Sequence, residues 1–165
     1  MYPSHANTPI AIRRFQPEDA EQVWHLHNVV LAETGAHLGP GPWDDDLKNI
    51  EEHYLNSNGE FLVAEYQSEV RGKFLIAMGA LRRLSEDRGE IKRMRVLREF
   101  QGQGIGKTIL RTLEARAREL GYKILQLDTT TLQEAAQGLY RNAGYQEIRR
   151  EKGQGLEVII FEKNL

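Results

Sequence analysis

The stretch MRVLREFQGQGIGKTILRTLEARAREL, Met94 to Leu120, decides how this chain is read: an apolar strand runs into a glycine-rich turn and then into an amphipathic helix. Gly102, Gly104 and Gly106 alternate across the turn, so its backbone can take left-handed angles and a ligand can approach with no Cβ in the way. Ile105, Ile109, Leu113, Ala117 and Leu120 then recur on one side of a helix. The first-turn amides of that helix have no partner within it and stand at the positive end of a macrodipole of about half an elementary charge. A phosphate or pyrophosphate is the natural occupant, with Lys107 and the Thr108 hydroxyl close by.

Two nucleotide motifs come near and miss. The pattern G-x-x-x-x-G-K-[ST] aligns on Gly106, Lys107 and Thr108 but needs glycine where Gln101 stands. The fingerprint G-x-G-x-x-G fails because the spacing here is G-x-G-x-G. What fits is [QR]-x-x-G-x-[GA], read as Gln101, Gly104 and Gly106. A nucleotide hydrolase or kinase, suggested by GIGKT with ILQLD downstream, is the alternative from a different class.

Working outward, Lys123 to Asp128 reads as a strand that should lie parallel to the strand beginning at Glu90, reached through a crossover over the helix. Upstream the apolar period is two: Phe61 to Tyr66, Lys73 to Leu84 and Glu90 to Leu97 form an antiparallel meander. Before it come a strand at Ile10 to Phe15 and a helix opened by Pro17, Glu18 and Asp19, carrying Val23, Trp24, His27, Val30 and Leu31 and stopped at Gly35. Asp44, Asp45 and Asp46 should cap a second helix with Leu47, Ile50 and Tyr54 on its inner face. Glu134 to Asn142 is a short helix, and Tyr145 to Arg150 pairs with Leu156 to Glu162 as a closing hairpin. The 165 residues suit one α/β domain over 1–165, a central mixed, twisted sheet with helices on both faces.

Composition narrows the chemistry. A formal net charge of −2 argues against a general nucleic-acid binder. The absence of cysteine excludes disulfides, thiolate metal sites and a cysteine nucleophile, hence any acyl-cysteine intermediate. No acid or histidine set has metal-ligand spacing, so no metal is expected. No stretch approaches the roughly 18 apolar residues that span a bilayer, and the first residues hold no signal core, so no membrane is expected and the cytoplasm is the expected location.

AAQGLYRNAGY, Ala135 to Tyr145, is the second informative stretch. Together with the QGQGIG turn after EIKRMRV, it resembles the GCN5-related N-acetyltransferase (GNAT) family over nearly the whole chain. The resemblance implies acetyl-CoA as cosubstrate, its pyrophosphate on the amides of Gln101, Gly102, Gln103, Gly104, Ile105, Gly106, Lys107 and Thr108. It implies that the pantetheine arm pairs with the backbone of Met94, Arg95 and Val96, whose side chains would matter less. Gln133 stands where many relatives carry asparagine on the pantetheine. Tyr140 matches a tyrosine beside the CoA sulfur, and a phenol with an ordinary pKa near 10 is protonated at neutral pH and can donate to the departing thiolate. Glu90 matches a strand glutamate acting as general base through water. The implied enzyme transfers acetyl to a primary amine of a small molecule by direct attack; the alternatives are a protein or peptide amine, or a catalytically inactive CoA-binding sensor. The Asp44 to Asp46 run favours a cationic acceptor entering between Thr34 and Trp43. A homodimer is compatible with the family, whose members pair in several ways.

Overall fold

The computed structural model describes residues 9–35, 39, 41–153 and 155–165. Strand β1 (Ile10–Arg14) passes through a 3-10 turn at Pro17–Asp19 into helix α1 (Ala20–Thr34), and β2 (Glu60–Ser68), β3 (Gly72–Arg83) and β4 (Arg88–Val96) follow. Helix α2 (Ile105–Glu119), strand β5 (Ile124–Thr130), helix α3 (Glu134–Asn142) and the hairpin of β6 (Gln146–Gly153) and β7 (Leu156–Asn164) complete the chain. The strands form one mixed sheet in the order β1-β2-β3-β4-β5-β7-β6, with β4 and β5 parallel.

Alternation along the strands places helices on both faces, as the apolar periods require. Phe61 and Val63 of β2 pack with Val23, Leu26 and Val30 of α1, while Leu62 and Ala64 pack on the opposite face with Ile109, Leu110 and Leu113 of α2. Each of these buried Val, Leu, Ile and Phe side chains stabilises the fold by about 1.5–3 kcal/mol relative to exposure. Helix α2 lies directly on β3 at Gly79, where a Cβ would stand 2.6 Å from both Ile109 Cγ2 and Met94 Sδ.

The segment after α1 departs from expectation. Pro42–Lys48 is a 3-10 turn and Glu51–Leu55 a single π-helical turn, not one capped α-helix. Leu47, Ile50 and Tyr54 are buried as expected, but no side-chain cap bond forms at the start of the turn. Asp44 and Asp46 turn inward to a distant partner instead, so they cannot serve the helix amides, while Asp45 stays at the surface beside Lys48.

Strand β4 holds the feature that opens the fold. Its parallel register with β5 runs from Arg88↔Ile124 to Ile91↔Leu127 and ends there. Beyond that point β5 stays paired with β7 to Thr130 and β4 with β3 to Val96. On β3, Met78 faces Arg95 and Ala80 faces Lys92, so Gly79 alone opposes both Arg93 and Met94. Arg93 takes φ +59, a left-handed angle rare for a non-glycine residue. This bulge adds local twist and turns β4 away from β5.

Candidate active site

Past Ile91 and Leu127 the gap between β4 and β5 opens into two adjoining cavities whose shared wall is Met94, Arg95, Gln133, Ala136 and Tyr140. The larger, about 550 Å³, also takes in the glycine turn through Gln101, Gly102, Gly104, Ile105, Gly106 and Lys107. The smaller, about 320 Å³, extends toward Leu31, Trp43, Asp44, Lys92, Arg93 and Asp128.

The turn has the properties of an anion cradle. Gly102 and Gly104 take φ +76 and +80. Gly106 does not need a left-handed angle: it lies in the first turn of α2, and a Cβ there would meet Leu139 and Val96 at an ordinary 3.5 Å. Among the described residues, the amides from Gly102 to Lys107 donate to no acceptor, the chain resuming with Thr108 N–H to the Gly104 carbonyl at 3.0 Å. Free amides at the positive end of a helix bind phosphate by hydrogen bonding and by the dipole together. The Gln101 carboxamide donates to the Val96 carbonyl at 3.0 Å and pins the turn to the end of β4. Gln103 and Thr108 stand outside the cavity wall, and the Thr108 hydroxyl donates back to the Gly104 carbonyl at 2.9 Å. Arg141 is turned away as well, to Glu147 at 3.1 Å.

Tyr140 is buried, its ring 6.0 Å from that of Tyr145 and 6.3 Å from that of Phe161. Burial pushes its phenol well above the ordinary tyrosine range, so it is protonated at neutral pH. Gln133, which lines both cavities, accepts through Oε1 from the Thr129 hydroxyl at 3.1 Å and the Thr130 amide at 3.2 Å, closing the turn before α3.

A family model described as the Acetyltransferase (GNAT) family matches residues 20–145, from the start of α1 to Tyr145. This chain belongs to the GNAT family. It is similar to N-acetyltransferase 8F1 of Rattus norvegicus, 36% identical over 120 residues that make up 67% of this chain and 53% of that protein. The GNAT chain thus spans about half the length of the mammalian N-acetyltransferases it matches. An acetyltransferase of the GNAT family from Staphylococcus aureus Mu50 superposes with a TM-score of 0.82 at 23% identity, covering 94% of this chain and 98% of its own. The PaiA N-acetyltransferase of Thermoplasma acidophilum, solved in complex with coenzyme A, gives 0.74 at 19% identity and covers 94% and 99%. No helix among the described residues is long and apolar enough to cross a membrane, and no three acids or histidines there cluster as metal ligands.

The remaining expected site residue and two neighbours on β4 and β5 differ in what they face. Glu90 is buried on β4, bonded to Arg82 at 3.1 and 3.3 Å with Lys92 at 3.6 Å, and it lines neither cavity. Across the gap on β5, Asp128 does line the smaller cavity. Burial first, and then the charge of Glu90, hold its carboxyl above the usual carboxylate range. Sequence reading passed over Asp128; the available signal was an acid closing the apolar run KILQL. It also valued Arg95 for its backbone alone, whereas Arg95 lines both cavities and carries a largely buried guanidinium. Burial and the neighbouring Arg93 lower its pKa to about 10, and its Nε has no hydrogen-bond partner.

The aspartate run does not form an acidic rim, so the expectation of a cationic acceptor loses its basis. Arg93 Nε and Nη2 bond both oxygens of Asp46, the first at 3.0 Å. Its Nη1 reaches Asp44 at 3.2 Å and its Nη2 the Trp43 carbonyl at 2.7 Å. Tyr54 donates to Asp46, and His27 Nε2 meets Asp44 at 3.0 Å. Burial holds the His27 pKa well below the ordinary histidine range. Asp45 alone is solvated, beside Lys48 at 3.0 Å. The network clamps the Pro42–Lys48 turn onto α1 and β4 beside the smaller cavity; of the expected entry between Thr34 and Trp43, residues 36–38 and 40 lie outside the described residues.

Proposed function

We propose that this chain transfers the acetyl group of acetyl-CoA to the primary amine of a small molecule by direct attack. The observation that carries this reading is Tyr140, a protonated phenol in the wall common to both cavities, where a thioester from one side and an amine from the other would meet. The free amides of Gly102 to Lys107, with Lys107 and Gln101 beside them, suit the pyrophosphate. Met94, Arg95 and Val96 present the strand edge that β5 leaves unpaired, so they can take the pantetheine amides as an added strand while the Gln133 NH₂ donates from the opposite wall.

Asp128 takes the proton from the acceptor ammonium, and Glu90, which lines neither cavity, acts through its charge by raising the affinity of Asp128 for that proton. The freed amine forms the new C–N bond at the acetyl carbonyl, the C–S bond breaks, Tyr140 donates its phenolic proton to the departing thiolate, and the proton that the new amide nitrogen must shed returns to the Tyr140 phenolate. No acyl-enzyme is required, in keeping with a cysteine-free chain.

Thiol release from acetyl-CoA, corrected for hydrolysis and measured across a panel of amines, tests the proposal. Tyr140→Phe is expected to lower kcat by about 100-fold or more with the KM for acetyl-CoA little changed. A wild-type rate in that variant refutes the acid role. Acetyl-CoA binding with no thiol release for any amine would make the chain a CoA-binding module instead.

A further inference from the structure

Five charged residues line the smaller cavity: Asp44, Lys92, Arg93, Arg95 and Asp128. Three are already neutralised by neighbours. Lys92 lies 3.6 Å from Glu90, Arg93 is bonded to Asp44 and Asp46, and Asp44 also meets His27. Arg95 and Asp128 are different. Neither has an ion-pair partner among the described residues; Arg95 donates only to the Met94 carbonyl at 2.8 Å, and its Nε is buried with nothing to bond. The two stand on β4 and β5, on either side of the point where the strands part.

A desolvated guanidinium without an anion is costly, and Asp128, though exposed on its outer side, faces the same cavity with no cation of its own. One ligand that carried both opposite charges would satisfy both. A polyamine would satisfy Asp128 alone and would set further positive charge against Lys92, Arg93 and Arg95. The rest of the wall includes Leu31, Trp43, Leu156 and Val158, apolar surface suited to a hydrocarbon or aromatic side chain. A volume of about 320 Å³ is at the small end for ligand sites and suits a single amino acid.

We propose that the acceptor is a free amino acid with an apolar side chain, its carboxylate held by Arg95 and its amine held and deprotonated by Asp128. This deepens the acetyl-transfer reading and rests on it. Arg95 thereby acts as a specificity residue through its side chain, in addition to what its backbone offers the pantetheine.

The test compares leucine and phenylalanine with their amides, and with spermidine, as acceptors for the wild-type enzyme, Arg95→Gln, Arg95→Lys and the exposed control Asp45→Ala. Wild type and the control are expected to favour each acid over its amide by about tenfold to a hundredfold in kcat/KM, the range of a hydrogen bond to a charged group. Arg95→Gln should bring that ratio close to one by raising the KM for the acids, with the KM for acetyl-CoA little changed, and Arg95→Lys should restore part of it. Amides or spermidine serving as well as the acids in wild type overturn the proposal, as does an Arg95→Gln defect confined to the KM for acetyl-CoA. A second measurement, the melting temperature with CoA and 10-fold steps of leucine or leucinamide, separates this inference from the reaction it rests on. Stabilisation by leucine that Arg95→Gln abolishes supports the carboxylate site even if no amine is acetylated, while no preference for leucine over leucinamide in either measurement sinks it.

Discussion

Asp46→Ala tests the clamp around Arg93 most directly, because the neighbouring Asp45 supplies a control of the same chemistry one residue away. The substitution removes two of the bonds to the Arg93 guanidinium and the acceptor of the Tyr54 hydroxyl, leaving Arg93 with Asp44 at 3.2 Å and the Trp43 carbonyl at 2.7 Å. Breaking one side of a buried pair costs about 3–5 kcal/mol. The contacts that survive put this case at the lower end, about 3 kcal/mol. In a domain of this size each kcal/mol moves Tm by about 2–4 °C, so a fall of about 6–12 °C is expected. Asp45→Ala loses an exposed contact to Lys48 and should cost no more than about 0.5 kcal/mol. Urea and thermal unfolding of wild type and the two variants at pH 7, followed by circular dichroism, read the difference. If Asp46→Ala lies within about 1 kcal/mol of Asp45→Ala, the clamp does not hold the segment and the reasoning fails.

Two further expectations concern the buried histidine and the close packing of α2. His27 is held neutral in the fold while the unfolded chain takes up its proton below about pH 6.5, so the unfolded state binds more protons and stability should fall as pH drops from about 6.5 toward 5; equilibrium unfolding across that window should show the slope in wild type and a flatter one in His27→Gln. Gly79→Ala drives a methyl against Ile109 and Met94 at 2.6 Å and should cost about 1–3 kcal/mol in the same assay, a neutral outcome meaning that α2 can shift.

What the sequence made legible follows from how local each signal is. The periods of two and 3.6 placed β1 to β5 and α1 and α2 because the sheet is packed on both faces and these elements show their buried sides in their own residues, whereas β6 is exposed along its length and was marked by the glycines of its turn. The cradle was legible because Gly102 and Gly104 occupy left-handed angles that the alternating pattern anticipates. The second helix was misread because the aspartates that resemble a cap answer to Arg93, 47 and 49 residues away. On β4 the bulge is made by Arg93 and Met94, with no glycine or asparagine to announce it: Arg93 itself takes φ +59, and its side chain is bonded to Asp46 and to the Trp43 carbonyl, far away in the sequence. Asp128 and the Arg95 side chain escaped notice for a related reason. Each is a lone charge on a strand, and its meaning depends on where the pairing of β4 with β5 ends.

The opening between β4 and β5 is therefore a local break in hydrogen bonding that lies beside a single surplus residue on β4. Were the chain one residue shorter at Arg93, β4 would regain its step with β3, the seam toward β5 could zip onward past Ile91, and the groups now facing each other across open space would be stitched into an unbroken sheet. Such a protein would be a better β-sheet and an empty shell. Shortening β4 would thus gain backbone pairing at the expense of the opening between β4 and β5.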